Sequence, residues 1–515
     1  MKFNISKEII NISNELKKAG FEAYLVGGCV RDLITGSEPK DWDIATDAKP
    51  EEIQKIFSTY AGATADKPAT IYENNFGTVA VKTNSEDPKL KIVEITTFRI
   101  EGKYTDKRHP DEIKFAKTIE EDLSRRDFTI NAIALDLVAY SVKHETQKEK
   151  KNYKLQVTGC EITDPFGGQK DLKAKIIKTV REPEDRFNED ALRLMRAVRF
   201  FSELGFSIEE KTFEAIKKNA ELLKVIAQER IRDEFVKIIM SNRAKEGMEK
   251  LEETGLLKFI IPELREGIGV SQDRHHIYTV WEHNLRALDY AVKKNYSLEV
   301  RLAALFHDLG KPKTKAGKSP NSTFYNHEIV GAKMAAKILN KLHFSKDVSE
   351  KTIHLVRYHM FYYNVGEVTE AGVRRFLARI GPENVDDFIK IREADRIGSG
   401  VPKAVPYKLR HLLFMIEKVK RDPISPKMLK INGEDLMKLL DIKPGPKVGQ
   451  ILAILLEEVI DNPSGNTTDN LELRIKELGS LSEKELKKMA KTAKEKKNEF
   501  ETGLEEEIKK QFYVK

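Results

Sequence analysis

Asp41-Trp42-Asp43 sets two carboxylates two residues apart in DWDIATD, a run that reads as a β-strand. Residues i and i+2 of a strand point to one face. Carboxylates held side by side repel unless a cation sits between them, and hard Mg²⁺ takes a few carboxylates together with substrate phosphate oxygens. Such a pair can hold two metals for in-line displacement at phosphorus. Upstream, Leu25-Val26-Gly27-Gly28-Cys29-Val30-Arg31-Asp32 is a strand running into two glycines and a helix start. Glycines let a backbone approach phosphates closely, and helix-start N–H groups favour anions. Arg31 adds charge-assisted donors for a triphosphate. Alone, each piece fits a surface loop or an ordinary strand–turn–helix. The carboxylate pair thirteen residues after the second glycine is what carries the reading.

Glu94 lies mid-strand in KIVEITTF, among β-branched residues. A charge there is costly unless paired or metal-bound, so Glu94 is the candidate third carboxylate. The plain alternative is a solvent-facing Glu on an edge strand. Arg125-Arg126-Asp127-Phe128-Thr129-Ile130-Asn131-Ala132 reads as the opening of a helix. Arg126 there is a phosphate or ribose ligand candidate, grouped with Asp127 and Asn131, although a carboxylate at a helix start is also a plain cap. Further on, Asp190, Arg193 and Arg196 recur every three residues, with Arg199 continuing the row. On a helix they share a face, as they would on any salt-bridged surface helix.

A second constellation is built on imidazoles. His307-Asp308 sits in RLAALFHDLGKPK, with His283 upstream in TVWEHNLRALDYA and Asp395 downstream in IREADRIGSG. Imidazoles and carboxylates converging from separate helices suit a divalent metal that activates water. His327 and His359 lie in the same region, and each also fits an ordinary capping or core histidine. His343 and His354 are read as structural.

These residues need elements to hold them. Residues 4–19 read as a helix ending at Gly20, and 21–100 as short strands (YLVGG, DWDIATD, GTVAV, KIVEITTF) around one helix near Pro50–Phe57, the pattern of a small mixed sheet. Glu101–Pro110 is a polar loop, a helix is predicted from about Ser124 to Leu137, and the Lys-rich stretch 139–156 reads as an inserted loop. From Pro183 the pattern is almost wholly helical, with a break near Pro262–Asp273. Residues 469–515 form a Glu/Lys-rich helix. The chain has 515 residues, room for three to four domains. Hydrophobic residues at 40% exclude a wholly disordered chain. The net charge of +8 permits a polyanionic partner without demonstrating one. Two cysteines, Cys29 and Cys160, exclude a disulfide scaffold and a cysteine-clustered zinc site, and fit a reducing compartment. No apolar run reaches membrane-spanning length, and the amphipathic N-terminus lacks the apolar segment of a secretory signal.

In order and spacing, several elements between about Tyr24 and Met240 resemble the class II tRNA nucleotidyltransferases, the CCA-adding enzymes, and their poly(A) polymerase relatives in the DNA polymerase beta-like superfamily. The elements are Gly27-Gly28-x-x-Arg31-Asp32, Asp41-x-Asp43, the loop Tyr104–Pro110, Arg125 to Ala132, Asp164-Pro165-Phe166-Gly167-Gly168, Glu189-Asp190-x-x-Arg193 and Glu229-Arg230-Ile231-Arg232. The His283, His307-Asp308, Asp395 order resembles the HD phosphohydrolase superfamily over roughly 277–400, in some members of which positions like His327 and His359 complete a second metal site. The resemblance implies an α+β chain: a polymerase beta-like head with a five-stranded mixed sheet, then all-α neck, body, HD and tail regions. It divides the chain into a catalytic head (1–140), an insertion and connection (141–182), a helical neck and body (183–272), an HD domain (273–400) and a helical tail (401–515). It implies that Asp41 and Asp43 bind Mg²⁺, that Gly27, Gly28, Arg31 and Arg126 contact the nucleotide, and that Asp190 and Arg193 read the base, with Arg196 and Arg199 nearby. The HD metal is a divalent ion of unspecified identity. The partners implied are tRNA, CTP and ATP, with no membrane, in the cytoplasm.

The implied base reading is chemically coherent. Cytosine and adenine each pair an exocyclic amine donor with a ring-nitrogen acceptor, which an Asp and an Arg match. Guanine and uracil put a carbonyl oxygen where the amine would be. Two departures stand out: Ala139–Gln156 is longer than the family needs, and the chain runs far past a minimal enzyme. The rival activities are A-only addition, CC-only addition and poly(A) polymerisation. Glu101–Pro110 argues against CC-only addition, because the resemblance ties that loop to the switch from C to A, and YENNFGTVAV at 72–81 lacks the polymerase-type basic signature. An HD hydrolase with an inactive head, and a pure RNA-binding module, are rivals of other classes. Carboxylates kept in both constellations argue against the last, since they repel phosphate without metal. Lys-rich stretches at Lys427–Lys430 and Lys443–Lys447 suit RNA phosphates, the run Lys484–Lys497 is balanced by Glu and reads as a solvated helix, and no single RNA-contacting residue stands out.

Overall fold

Short runs rich in Val, Ile, Ala and Thr assemble into one mixed sheet whose central strands are buried on nearly consecutive residues, with Ile92–Thr97 alternating between buried and exposed. The computed structural model describes residues 2–58, 70–72, 77–101, 113–137, 154–158, 160–272, 277–317, 321–361 and 363–495. The chain divides into two compact units, Met1–Pro262 and Glu263–Lys515. In the first, the sheet runs in the order Glu161–Thr163, Ala134–Asp136, Ala23–Val26, Asp43–Thr46, Ile92–Thr97, Thr78–Lys82 and Thr70–Tyr72. Only Asp43–Thr46 and Ile92–Thr97 pair in parallel; the other neighbours are antiparallel. Seven strands replace the expected five, because three-residue strands extend both edges. Val26, Ala45, Phe98, Leu123, Ala132 and Ala134 form part of the core beneath it.

Four local expectations are corrected. The first helix spans Lys7–Lys18, and a strand, Lys2–Ser6, precedes it. That strand pairs antiparallel with Lys154–Thr158, so the end of the supposed loop 139–156 is β-structure; residues 138–153 lie outside those described. The helix predicted over Ser124–Leu137 does not form. A helix ends at Ser124, a 3₁₀ turn spans Thr129–Asn131, and a strand covers Ala134–Asp136. The cause is Asp127, whose carboxylate accepts from the backbone N–H of Phe128 and from Asn131 Nδ2, at 2.8 and 3.2 Å. This local bonding competes with a helical ladder. Finally, Asp190 is the residue after the helix Pro183–Glu189, in extended conformation, so it does not share a helix with Arg193. The helix carrying Arg193, Arg196 and Arg199 is Leu192–Leu204.

That helix is buried on nearly every side, packed by Gln228–Met240 and Ala244–Glu253. In the second unit, Val280–Lys293, Leu298–Phe306, His327–Lys341, Lys346–Tyr358 and Val385–Gly398 pack as a bundle. The C-terminal helices Gly433–Leu440, Pro446–Asp461 and Thr468–Gly479 close around a separate core of Leu436, Ile451, Leu455, Ile475 and Leu486. Beyond the sheet, the regular structure of the described residues is helical apart from short pairings such as Ile176–Ile177 with Ser207–Ile208.

Candidate functional site

The first unit holds an open cavity of about 1010 Å³, lined by Gly27, Gly28, Arg31, Asp41, Asp43, Arg126, Asp127, Asn131, Asp190, Arg193, Arg196 and Arg199. Its floor is the turn after the strand Ala23–Val26. Gly27 has φ +76°, and a Cβ there would come within 2.9 Å of Arg126 Nη1 and 3.5 Å of Asp43 Oδ2. The left-handed φ favours glycine, and a side chain there would also crowd the Arg126 guanidinium. Asp43 opens the strand Asp43–Thr46, and Asp41 sits in the preceding turn, so the carboxylates are brought to one cavity by a turn and a strand start. The Asp43 carboxyl is pushed up by burial and by the Asp41 charge, against the pull of Arg126. An all-oxygen pair that is held against its own repulsion fits a hard divalent cation.

Glu94 pairs in register with Asp43 on the neighbouring parallel strand but does not line the cavity. It is exposed, so the argument from a costly buried charge fails. The plain alternative holds in that Glu94 faces solvent and fails in position, since its strand is interior to the sheet.

The arginines of the cavity are fixed by specific partners. Asp122, fully buried, takes Arg125 Nη2 at 2.8 Å and Arg126 Nη2 at 3.2 Å. Arg31 reaches Asn131 Oδ1 at 2.9 Å and Asp32 at 2.7 Å. Arg193 donates to Glu189 at 2.6 Å and to the carbonyls of Arg186 and Arg125 at 3.1 and 2.9 Å. Arg196 Nε meets Asp127 Oδ2 at 2.7 Å. Burial raises the Asp127 pKa, but Arg196 and the neighbouring donors more than offset it, to about 2. Arg199 meets Glu234 at 3.3 Å. The Phe200 ring is approached by the guanidiniums of Arg31, Arg196 and Arg199 at 5.6, 5.4 and 4.2 Å. The 3₁₀ turn bearing Asn131 is braced by Gly168, where a Cβ would sit 2.2 Å from the Thr129 carbonyl. Asp164 caps that segment by accepting from the N–H groups of Gly168 and Gln169 at 2.7 and 2.9 Å.

Sequence reasoning passed over Asp122, Lys237, Lys40 and Arg99, and it singled out Arg230 within Glu229-Arg230-Ile231-Arg232 without assigning it a partner. Asp122 was legible as a helical i+3 and i+4 partner of Arg125 and Arg126. Arg230 pairs with Asp190 through tertiary structure alone, and the other three reach the same cavity by folding. Residues 102–112, most of the loop Glu101–Pro110, lie outside the described residues.

The second unit gathers His283, His307, Asp308, His327, His359 and Asp395 in two buried groups: His283, His307 and Asp395, then Asp308, His327 and His359. Asp308 stands between the groups. Its Oδ2 lies 3.1 Å from His283 Nε2, and its Oδ1 lies 3.3 Å from His327 Nε2. Nε2 atoms of His283 and His307 are 2.8 Å apart, and those of His327 and His359 3.3 Å. The Nδ1 atoms of His307, His327 and His359 each face the carbonyl three residues earlier, at 2.7 to 2.9 Å. Donation from Nδ1 leaves Nε2 with a lone pair turned inward. Burial, with His307 and His327 alongside, holds His359 well below the ordinary histidine range, which keeps it a neutral ligand. Burial alone would raise the Asp308 carboxyl, but Lys311 at 2.6 Å and the histidines hold it well below the usual carboxylate range. Four imidazoles and two carboxylates, aimed inward within reach of one another, fit divalent metal. His354 instead binds the Ile380 carbonyl at 2.7 Å, and His343 occupies a left-handed turn at φ 53°. His307 terminates the helix Leu298–Phe306, with Gly310 packed on the His327 backbone.

Residues 23–178 match the family described as "Poly A polymerase head domain", 205–268 match "Probable RNA and SrmB- binding site of polymerase A", and 280–389 match "HD domain". The chain is 33% identical over 481 residues to the CCA-adding enzyme of Ligilactobacillus salivarius, covering 93% of this chain and 98% of that one. It is likewise 33% identical to the CCA-adding enzyme of a Geobacillus strain, covering 90% and 95%. The crystal structure of the Bacillus stearothermophilus CCA-adding enzyme in complex with CTP superimposes with TM-score 0.63 at 28% identity, over 92% of this chain and 96% of that one.

Proposed function

The chain belongs to the CCA-adding enzyme family, and on that premise we propose that it builds the 3′-terminal CCA of tRNA from CTP and ATP without a nucleic-acid template. The observation that carries this reading is the single cavity joining Asp41 and Asp43 to Asp190 and Arg193. A pair for a metal–triphosphate and a pair for a base edge must open on one space if the protein itself selects the nucleotide. In each cycle the 3′ hydroxyl of the RNA displaces pyrophosphate from the α-phosphorus.

Asp41 and Asp43 are the residues that would hold Mg²⁺, which when bound neutralises triphosphate charge. The Gly27 turn admits the phosphates to the backbone, and Arg31 and Arg126 donate to their oxygens. Asp190 accepts from the exocyclic amine of C or A, using lone pairs beyond those taken by Arg230. Arg193 keeps unassigned N–H donors for the ring nitrogen after its bonds to Glu189 and two carbonyls. Asp127, Asn131, Arg196 and Arg199 orient this set, and Glu94 flanks Asp43. We read 1–140 as the catalytic head, 141–182 as insertion and connection, 183–272 as neck and body, 273–400 as the HD domain and 401–515 as the tail. The HD domain is read as a phosphohydrolase in which His283, His307 and Asp395, and Asp308, His327 and His359, would hold divalent metal that supplies an activated water. A cytoplasmic location follows from a tRNA substrate and unpaired cysteines; among the described residues no helix is long and apolar enough to cross a membrane.

Purified protein given tRNA transcripts that end before CCA, after C and after CC, each with CTP, ATP or both, tests this reading. Ordered addition of C, C and A is expected. Addition of A alone to the CC end would make it an A-adding enzyme, and extension beyond A a poly(A) polymerase.

A further inference from the structure

The helix Tyr407–Val419 buries Leu409, Leu412, Ile416 and Val419 on one side. Its other side carries large rings into solvent: Tyr407 and Phe414 are each 61% exposed. Positions 407, 411, 414 and 418 fall on one helical face. The rings follow one another along it, with centroids of Tyr407 and His411 6.0 Å apart and those of His411 and Phe414 5.9 Å apart. Tyr363 adds a fourth ring, 5.8 Å from His411, and its hydroxyl bonds His411 Nδ1. This pins the middle of the row while both ends stay open to water.

Exposed rings that adjoin mark a docking surface. The charges beside them indicate what docks. Arg410 is exposed and has no carboxylate partner among the described residues. Lys408 is held by the Asn364 amide oxygen at 2.6 Å, and Lys418 pairs with Glu370. Aromatic faces interleaved with cations suit a chain that alternates flat π-faces with phosphates, which is unpaired nucleic acid. A continuous duplex keeps its base faces inside its own stack and offers these rings nothing to cover them.

We propose that this face is an RNA-docking surface on which unpaired bases of the tRNA stack against Tyr407 and Phe414 while Arg410 meets the adjoining phosphate. This rests on the reading of tRNA as substrate. It differs in kind from the Lys-rich stretches, because it adds stacking, which salt does not screen, to the phosphate attraction, which salt does.

The test measures tRNA affinity of the full chain by filter binding over a salt series, for the parent and for Tyr407→Ala, Phe414→Ala, Tyr407→Phe and Arg410→Gln. Loss of either ring weakens the Kd about tenfold with little change in salt slope, and Tyr407→Phe restores it. Arg410→Gln lowers the salt slope by about one. In CCA addition, KM for tRNA rises while kcat at saturation holds. A blunt RNA duplex competes no differently against parent and ring variants, whereas an unpaired oligonucleotide competes less well against the variants. Unchanged Kd in both ring variants overturns the proposal. So does a shift in sedimentation with Kd unchanged, which would make the face a contact between copies of this chain. Absence of any addition by the parent defeats the tRNA reading itself, a result distinct from either.

Discussion

Arg230 Nη2 lies 2.8 Å from Asp190 Oδ2, an ion pair that joins the residue ahead of the arginine-bearing helix to a separate helix 40 residues later. Asp190 also accepts from its own Leu192 N–H at 3.0 Å. Its carboxylate is therefore aimed from two directions, and a group so fixed discriminates by geometry.

Replacing Arg230 by Met is expected to loosen that aim. UMP and GMP misincorporation rise about tenfold relative to the parent, and kcat/KM for CTP falls, while tRNA affinity changes by less than twofold. The check is single-nucleotide extension with each NTP, paired with tRNA binding. A fall in tRNA affinity with fidelity intact would make Arg230 an RNA ligand.

Asp41→Asn and Asp43→Asn each remove one oxygen charge from the cavity while keeping its volume. Both C and A addition are expected to drop by at least about a thousandfold, on the scale of several kcal/mol that a catalytic metal supplies. Near-parental C addition in either variant would remove that residue from the metal site. Glu94→Gln, on an exposed side chain beside Asp43, separates flanking from ligation: about tenfold or less points to the former.

Acid should test Asp127. Its folded pKa of about 2 lies below the ordinary aspartate value of 3.8, so its stabilisation is present above about pH 4 and is lost as pH falls toward 2. The displacement corresponds to about 2 kcal/mol. Arg196→Met is expected to erase most of that pH dependence, seen as a smaller difference in urea midpoint between pH 5 and pH 3. An identical difference in parent and variant would show that Arg196 does not hold the carboxylate.

Asp308→Ala is expected to strip metal from the second unit and to end hydrolysis of 2′,3′-cyclic phosphates, leaving CCA addition within about twofold. Asp308 serves both groups of donors, so metal content should fall further than in His359→Ala, which touches one. Metal analysis and both assays on the same preparations check this. Equal metal loss in the two variants would argue for a single ion.

Gly168→Ala places a methyl 2.2 Å from the Thr129 carbonyl, a backbone atom that cannot swing away. A loss of about 1–3 kcal/mol is expected by urea unfolding, together with weaker nucleotide binding, since the displaced turn carries Asn131. An unchanged midpoint would show that the turn yields freely.

Period and spacing were enough to find the strands bearing Asp43 and Glu94, and the metal-type clusters were legible because residue chemistry survives without coordinates. Two of the errors share one physical origin. Arg125 to Ala132 has helical composition, yet Asp127 spends its carboxylate on Phe128 and Asn131 and turns the chain. Asp190 sits at a helical interval from Arg193, yet it is itself the extended residue between two helices and accepts from the Leu192 N–H. Side-chain bonding to nearby backbone overrode periodicity in both cases. Partners such as Arg230 for Asp190, or Gln272 for Lys311 at 2.6 Å, depend on which elements meet, and sequence spacing holds no trace of them.

Among the described residues the strand Lys2–Ser6 pairs with Lys154–Thr158 alone, with Lys2 opposite Thr158. On the ribosome, that partner is made about 8 to 30 seconds later at typical elongation rates. Through that interval Phe3 and Ile5, buried at 4% and 0% exposure in the finished fold, have no strand to lie beside. The nascent head therefore closes late, when a distant strand emerges to latch its beginning. Limited proteolysis of chains stalled before and well after residue 158 would show it: protection of the first residues should appear only in the longer chains, and early protection would mean that another segment shelters them first.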